Sequence, residues 1–447
     1  MPESINMAGL EADAASLVET ALKAGADACD VVVARGQSLG AEVRDGQIEN
    51  TGRSEADDFS LRVFVGKKVA TVSANNIAGR VELAERAVAM AKVSPEDPFQ
   101  GLAPAEKLAK SWPDLDLCDT ATADAAMLGD TALACEAAGL AVPGVSKSMG
   151  ARAGWGLSGF VLATSTGFTG SYAVSRFSTS AAMVAGEGTG MERDYDFHSA
   201  VHLEDLKDPA EIGRVAGERV VRRLNPRQVK SGAVPVIFDR RISTGMLGAL
   251  MSAINGASVA RKTSFLRDSM GKQVANAAIT IPDDPLRPRG LGSRPFDGEG
   301  MAPAPITFVE AGVLYDWVLD WANARELGIE SNARAARGGG GTSPSPTNCH
   351  IAAGGTSVAD MMAGVGTGLL LTETIGHGVN MVTGDYSKGA AGYWFENGEI
   401  AYPVSEITIA GNLKDMFLSM TPADDLEFRG SANAPSLLIE GMTIGGK

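Results

Sequence analysis

Hydrophobic residues recur at helical spacing near the start of the chain. Leu10, Ala14, Leu17, Ala21 and Leu22 share one face of a helix predicted over 10–24, and Gly25 follows as its stop. The period then shortens. Strands are predicted over 30–35, 39–44 and 47–51, the last two joined at Asp45-Gly46. Two more, 59–65 and 69–73, flank Gly66-Lys67-Lys68, and a second helix over 77–92 ends at Ser94-Pro95. Helix, about five strands joined by short hairpins, then helix predicts an antiparallel sheet with helices on one face.

The pattern is lost over 95–119, which reads as a connecting segment. An Ala-rich helix over 122–138 follows, then a Ser-, Thr- and Val-rich meander over 144–184. A helix over 209–224 begins near Asp208 and stops at Asn225-Pro226. Beyond it come a buried strand over 234–238 and an unusually small, apolar helix over 242–259. Two late hairpins are expected: 306–310 with 313–318 around Ala311-Gly312, and a second around Asn397-Gly398. Both read E-x-G-x-[LI]-x-x-x-V, a repeated supersecondary unit. The fold class is α+β in two domains, with antiparallel or mixed sheets and flanking helices. The expected domains are 1–228, subdivided near 95–120, and a β-rich 229–447.

Composition narrows the function. The 447 residues carry a net charge of −15, which argues against a nucleic-acid surface. The best local basic patch is Arg219, Arg222, Arg223 and Arg227, expected to be the solvated face of a helix. Cys29, Cys118, Cys135 and Cys349 are scattered, so neither a disulfide framework nor a cysteine zinc cage is suggested. The N-terminus shows no signal-peptide pattern and no apolar run approaches a membrane span, so the expected address is the cytoplasm.

Candidate chemistry is sparse. His198 and His202 stand at i, i+4, but Ser199 occupies the place of a general-base Glu, and the surrounding DYDFHSAVHLEDL is not helical in pattern. His350 follows Cys349, and neighbours on a strand face opposite ways. His377 lies between glycines, as turn residues do. RGGGGT at 337–342 lacks the Walker lysine and is followed by SPSPTN; it reads as a flexible loop, or as backbone lining a peptide groove. Asp283-Asp284, Asp297 with Glu299, and Asp424-Asp425 are carboxylate pairs in loops, expected to be solvated.

Longer blocks carry a resemblance. VTGDYSKGAAGYWFENGEIAYPVSEITIAGNLKDMF near the end resembles the C-terminal signature of the TldD/PmbA family. GSRPFDGEGMAPAP, FVEAGVLYDWVLDWANARELG and NARAARGGGGTSPSPTN resemble its central C-terminal blocks, in order. VRDGQIENTGRSEADDFSLRVFVGKKVATVSANN resembles its first domain, so the likeness covers nearly the whole chain.

The resemblance implies two branches that pair with one another. TldD-like chains are similar to zinc peptidases with an HExxxH helix and a late cysteine ligand; PmbA (TldE) chains lack both. Here the motif helix corresponds to 243–258, with Met251, Ser252 and Gly256 where His, Glu and His would stand. The end, GSANAPSLLIEGMTIGGK, has no cysteine. GHGVN with VTGD, and VARKTSF after the helix, match the PmbA branch. The implied role is the non-catalytic subunit of a peptidase acting on unfolded peptides. Its partner is a TldD-like subunit in a heterodimer, with a homodimer when alone. Zinc is expected in that partner and no cofactor in this chain, with no nucleic acid and no membrane. Groove loops are expected at Gly338, Gly339, Ser343, Asn348, His377 and Asp385. Two alternatives stand beside this: an independent metallopeptidase built on His350, His377 or His198 with His202, and a regulatory protein acting on a DNA-topology enzyme or toxin system.

Overall fold

The computed structural model describes residues 5–338 and 341–447. Its first half is built on one antiparallel sheet. Helix α1 (Met7–Lys23) leads into strands β1 (Ala28–Arg44), β2 (Gln47–Val65) and β3 (Lys68–Ala74). Helices α2 (Arg80–Val93) and α3 (Ala125–Leu140) follow, then β4 (Val145–Thr164), β5 (Thr169–Ala185), β6 (Glu192–Ala200) and α4 (Pro209–Arg222). The sheet order is β3-β2-β1-β4-β5-β6.

The five short strands expected over 30–73 are therefore three, two of them long. Gly36, Ser38 and Gly40 interrupt the apolar alternation of β1, and the polar run 52–58 interrupts β2. Their backbones are nevertheless paired without a gap: β1 pairs with β2 from Ala28↔Phe64 to Arg44↔Gln47, with one register shift between Glu42 and Val43, and with β4 on its other side. Ladder hydrogen bonds do not depend on side-chain type, so paired backbone bridges gaps that a hydropathy pattern reads as breaks.

The two faces of β1 explain its run of valines. Val31 and Val33 lie in the core beneath α1 and α2, while Val32 belongs to an aromatic cluster with Leu162, Phe168 and Phe296 on the opposite face. A strand covered on both faces needs apolar residues at successive positions. On the helix side, α3 and α4 pack backbone to backbone. A Cβ added at Gly213 would stand 1.8 Å from the Cys135 carbonyl oxygen.

The second half begins with β7 (Gly232–Phe238), α5 (Arg240–Ala253) and α6 (Gly256–Ala260). Short strands β8 (Ile281–Asp283), β9 (Ile306–Glu310) and β10 (Val313–Leu314) follow, then α7 (Trp321–Leu327) and the hairpin β11 (Ala335–Gly338) with β12 (Gly341–Pro344). After β13 (Cys349–His350) and α8 (Val358–Val365) come β14 (Gly368–Ile375), β15 (Asp385–Glu396) and β16 (Glu399–Asn412). Helix α9 (Leu413–Ser419), β17 (Thr421–Pro422), β18 (Ala432–Asn433) and β19 (Leu437–Gly445) complete it. The order β16-β15-β14-β7-β19-β17 contains one parallel pair, β14 with β7, so this sheet is mixed. An added β16–β19 pairing closes five of its strands into a ring. A smaller sheet runs β10-β9-β8-β13-β18.

The hairpins expected from dipeptides are present. Asp45-Gly46, Ala311-Gly312 and Asn397-Gly398 all have positive φ at both residues, as tight hairpin turns require. The strand expected over 313–318 stops at Leu314.

Candidate functional site

Helix α5 leaves β7 directly. The Asp239 side chain caps it by accepting from the Arg241 N–H at 2.9 Å. The single helix expected over 242–259 is broken. Asn255 leaves helical geometry, and its carboxamide caps α6 by accepting from the Ala257 N–H at 3.0 Å while donating to the Pro344 carbonyl at 2.9 Å. Gly256 donates its N–H to the Val318 carbonyl at 2.9 Å, and a Cβ there would stand 2.7 Å from Leu319 Cδ2. The break is thus a docking point for the strand-like segment at Val318, a partner distant in sequence that no local pattern announces.

The residues at the expected motif positions are occupied in other ways. Met251 is buried, with its Sδ 3.5 Å from Cys349 Sγ. Ser252 is exposed and turns its hydroxyl back to the Gly248 carbonyl at 2.8 Å. Gly256 is buried against Leu319. From Arg240 to Ala260 there is no His, Asp, Glu or Cys. A zinc ion needs deprotonated thiolate, neutral imidazole or carboxylate ligands. A buried thioether, a serine donating to its own helix and a glycine do not fit one. Burial also holds the nearby Cys349 thiol well above its usual range, so it stays protonated. Among the described residues, no three His, Cys, Asp or Glu side chains form a group that could hold a metal ion.

The histidines sit apart from this helix. His198 lies on β6, so it and His202 do not share a helix face. The Lys207 N–H donates to His198 Nδ1 at 3.3 Å, and burial with the nearby Arg429 and Lys207 charges pushes the ring's pKa down. His202 is hydrogen-bonded to the Asp116 carbonyl at 3.0 Å. His350 packs edge-on against Phe428, its pKa lowered by burial and by Arg287.

A cleft of about 190 Å³ opens at the N-terminal end of α5. It is bounded by Tyr195 and Phe197 of β6, Arg240, Arg241 and Thr244 of α5, and the segment from Glu427 to Ala434. Its charges are matched in pairs: Arg240 with Glu427 at 3.0 Å, Arg241 with Asp194 at 2.8 Å, and Arg429 with Asp196 at 3.0 Å. Arg219 also reaches Asp196, and Arg223 reaches Glu373, Asp194 and Glu192. The basic patch expected as a solvated face is therefore divided. Arg222 and Arg227 are exposed, whereas Arg219 and Arg223 turn inward and tie α4 to β6 and β14. Tyr195 and Phe197 stay exposed with rings stacked 6.3 Å apart, on the last strand of the first sheet. The rings form an exposed aromatic shelf, while the carbonyls of Tyr195 and Phe197 already accept from Arg219 (3.2 Å) and Arg429, which closes this part of the β6 edge to a further strand.

The expected groove residues are spread over separate elements. Gly338 and Ser343 lie on β11 and β12, exposed. Gly339 falls outside the described residues. Asn348 is buried: it accepts from the Gly292 N–H at 2.9 Å and donates to the Asp284 carbonyl and the Ser293 hydroxyl, both at 2.7 Å. His377 and Asp385 flank the β14–β15 connection, both exposed; Asp385 accepts from the Thr383 hydroxyl at 2.6 Å.

Two of the three carboxylate pairs expected in solvent are partly or wholly buried. Asp283 is enclosed with Arg334, Nε to Oδ2 2.6 Å, and also accepts from the Thr347 N–H at 2.7 Å. Asp297 and Glu299 lie buried behind β11. Burial pushes both carboxyls up. Asp297 is partly offset by N–H donors from Glu299, Met301 and Ala335, and Glu299 is partly offset by Arg62 and raised further by the charge of Asp297. Beside them Asp30 of β1 receives Arg62 (Nε–Oδ2 3.0 Å) and Arg337, and Arg62 also donates to Thr342 at 3.1 Å. Both strands of the β11–β12 hairpin are thus anchored to the first sheet. A lone Asp opening the apolar run DVVV, and an Arg inside RVFV, were the available sequence signals for this cluster.

Comparison with known proteins agrees with this architecture. Three family models match in succession: PmbA/TldA metallopeptidase domain 1 at 29–91, the central domain at 111–224 and the C-terminal domain at 231–446. The metalloprotease PmbA of Escherichia coli O157:H7 is 36% identical over 96% of this chain and 95% of its own length.

The chain belongs to the PmbA/TldD family.

A PmbA homologue of Haemophilus influenzae is likewise 36% identical over 96% of this chain and 94% of its own. Among solved structures, a candidate modulator of DNA gyrase from Bacteroides thetaiotaomicron has a TM-score of 0.90 at 27% identity, covering 98% of this chain and 99% of its own. TldE from Thermococcus kodakarensis shares the fold, with a TM-score of 0.85 at 22% identity over 97% and 100%.

Proposed function

We propose that this chain is the non-catalytic subunit of a two-chain zinc peptidase that cleaves unfolded peptides. Its partner is a TldD-like subunit that carries the zinc and the general base. The observation that carries this reading is the α5–α6 helix pair: Arg240–Ala260 holds no metal ligand and no base, and its inward face is closed by Met251, Leu250 and Ile254. A catalytic zinc needs three protein ligands and a bound water with a base beside it. The full family scaffold with this helix blank is the arrangement of a subunit that shapes a chamber and leaves bond cleavage to another chain.

Peptide is held as an added strand in the chamber that the two subunits enclose. Main-chain hydrogen bonds then provide affinity with loose sequence preference. The four free cysteines fit a reducing, cytoplasmic setting.

The test is reconstitution. The purified chain is expected to bind less than a tenth of an equivalent of zinc and to leave an unstructured peptide intact; adding the TldD-like subunit is expected to produce cleavage that a chelator abolishes. Chelator-sensitive cleavage by the chain alone, or stoichiometric zinc in it, overturns the proposal in favour of an independent peptidase. Recovery of a DNA-topology enzyme, and no TldD-like chain, on the purified protein favours the regulatory reading.

A further inference from the structure

The face of the first sheet turned away from its helices carries a small open cavity. Phe160 of β4 stands directly across from Tyr172 of β5, with ring centroids 5.3 Å apart. Phe296, wholly buried, meets Tyr172 edge-on at 5.4 Å. These three rings, with Arg294 and Arg337, bound about 310 Å³ of space. Phe160, Tyr172 and Arg294 are half-buried, so the cavity opens to solvent on their side. A volume of this size stands at the small end of ligand pockets. It suits one aromatic group with its attached polar atoms rather than a long segment.

The polar atoms around the cavity are donors short of acceptors. Arg337 has only 7% of its side chain exposed. Its Nη2 goes to Asp30, and its buried Nε–H has no partner among the described residues. Arg294 donates from Nη1 to the Ala335 carbonyl at 2.9 Å and from Nη2 to the Pro346 carbonyl at 3.1 Å. Both bonds go to carbonyls, and among the described residues Arg294 has no carboxylate in contact. Burial pushes the Tyr172 pKa up, partly offset by Arg294, so its hydroxyl stays protonated and is a further donor. The carboxylate on the cavity wall, Asp297, is already in use. It accepts from the N–H groups of Glu299 and Met301, both at 2.9 Å, and of Ala335 at 3.2 Å. A buried donor left unmatched is costly, and a planar guanidinium matches a carboxylate with two parallel hydrogen bonds. Aromatic walls favour a ring set edge-on or offset-stacked between them.

We infer that this cavity binds a carboxylate attached to an aromatic group, the chemistry of a peptide that ends in phenylalanine. The carboxylate lies against Arg294 and Arg337 with the Tyr172 hydroxyl beside it, and the ring lies against Phe160 and Phe296. The site belongs to this chain alone and does not rest on the proposed peptidase role.

Ligand-detected NMR titration of the full chain with N-acetyl-L-phenylalanine tests it. Binding is expected with a Kd below about 1 mM. N-acetyl-L-phenylalanine amide lacks the carboxylate and N-acetyl-L-alanine lacks the ring; each is expected to bind at least about tenfold more weakly. Arg294→Gln is expected to weaken the acid by about tenfold or more. Tyr172→Phe keeps the ring and removes only the hydroxyl, so it is expected to weaken binding by about threefold to tenfold without lowering Tm. The tripeptide Ala-Ala-Phe and 3-phenylpropionate separate the two sources of this chemistry. Tighter binding of the tripeptide assigns a peptide end, tighter binding of 3-phenylpropionate assigns a free aromatic acid, and both support the site. No binding at millimolar ligand, equal affinity for the acid and its amide, or undiminished binding by both variants overturns the inference.

Discussion

Replacing Glu299 with Gln isolates the electrostatics of the buried cluster between the first sheet and β11. Glu299 is almost wholly buried; its Oε2 accepts from the Trp321 N–H at 2.8 Å, and its Oε1 lies 3.8 Å from Arg62 without a hydrogen-bond partner. Burial raises its pKa to about 8; Arg62 opposes that shift, and Asp297 and Asp320 add to it. The sign follows. In the unfolded chain the group releases its proton near pH 4.3, whereas the folded chain keeps it until near pH 8. The folded state therefore holds more protons across that window, and stability falls as pH rises through it. One proton is worth at most about 1.4 kcal/mol per pH unit, so from pH 6 to pH 8 this group removes up to about 2.7 kcal/mol. Asp297 is raised as well, to about 6, so the two carboxyls titrate as a pair and the figure is an upper bound for Glu299 by itself. Gln keeps the acceptor for Trp321 and cannot ionise. Thermal melts at pH 6 and pH 8 are expected to show the wild type losing several degrees more than Glu299→Gln over the same interval. Equal losses in the two proteins would refute the assignment of a buried, protonated Glu299.

Two further predictions concern close packing and buried hydrogen bonds. Gly213→Ala drives a Cβ to 1.8 Å from the Cys135 carbonyl, so α3 and α4 must separate; a loss of about 3 kcal/mol is expected by denaturant titration, and a loss under about 0.5 kcal/mol would contradict the close approach. Asn348→Ala strands the Gly292 N–H and the Asp284 carbonyl, at a cost of roughly 1–3 kcal/mol, read as faster hydrogen exchange at Gly292; unchanged protection there would count against it.

What was legible in the chain was local. A helix such as α1 buries Leu10, Ala14, Leu17 and Ala21 along one stripe, and that stripe is written at a spacing of three and four. Hairpins at Asp45-Gly46 and Asn397-Gly398 need positive φ at adjacent residues, which few side chains tolerate, so the dipeptide alone marks them. The absence of His, Asp, Glu and Cys from Arg240 to Ala260 is likewise a property of sequence alone.

Tertiary structure decided the rest, wherever a residue's state depends on a distant partner. The continuity of β1 and β2 comes from ladders on neighbouring strands, not from their own alternation. The break between α5 and α6 comes from Val318 and Pro344 meeting Asn255 and Gly256. Asp297 and Glu299 look like loop carboxylates until β11 and the first sheet close over them, with Arg62 arriving from the other half of the chain. Arg223 reads as a solvated helix residue until Glu373 and Asp194 fold against it. Sequence determined which groups this chain could bring to chemistry; only the fold decided which of them lost their water, because burial is a property of what packs against a residue and not of the residue itself.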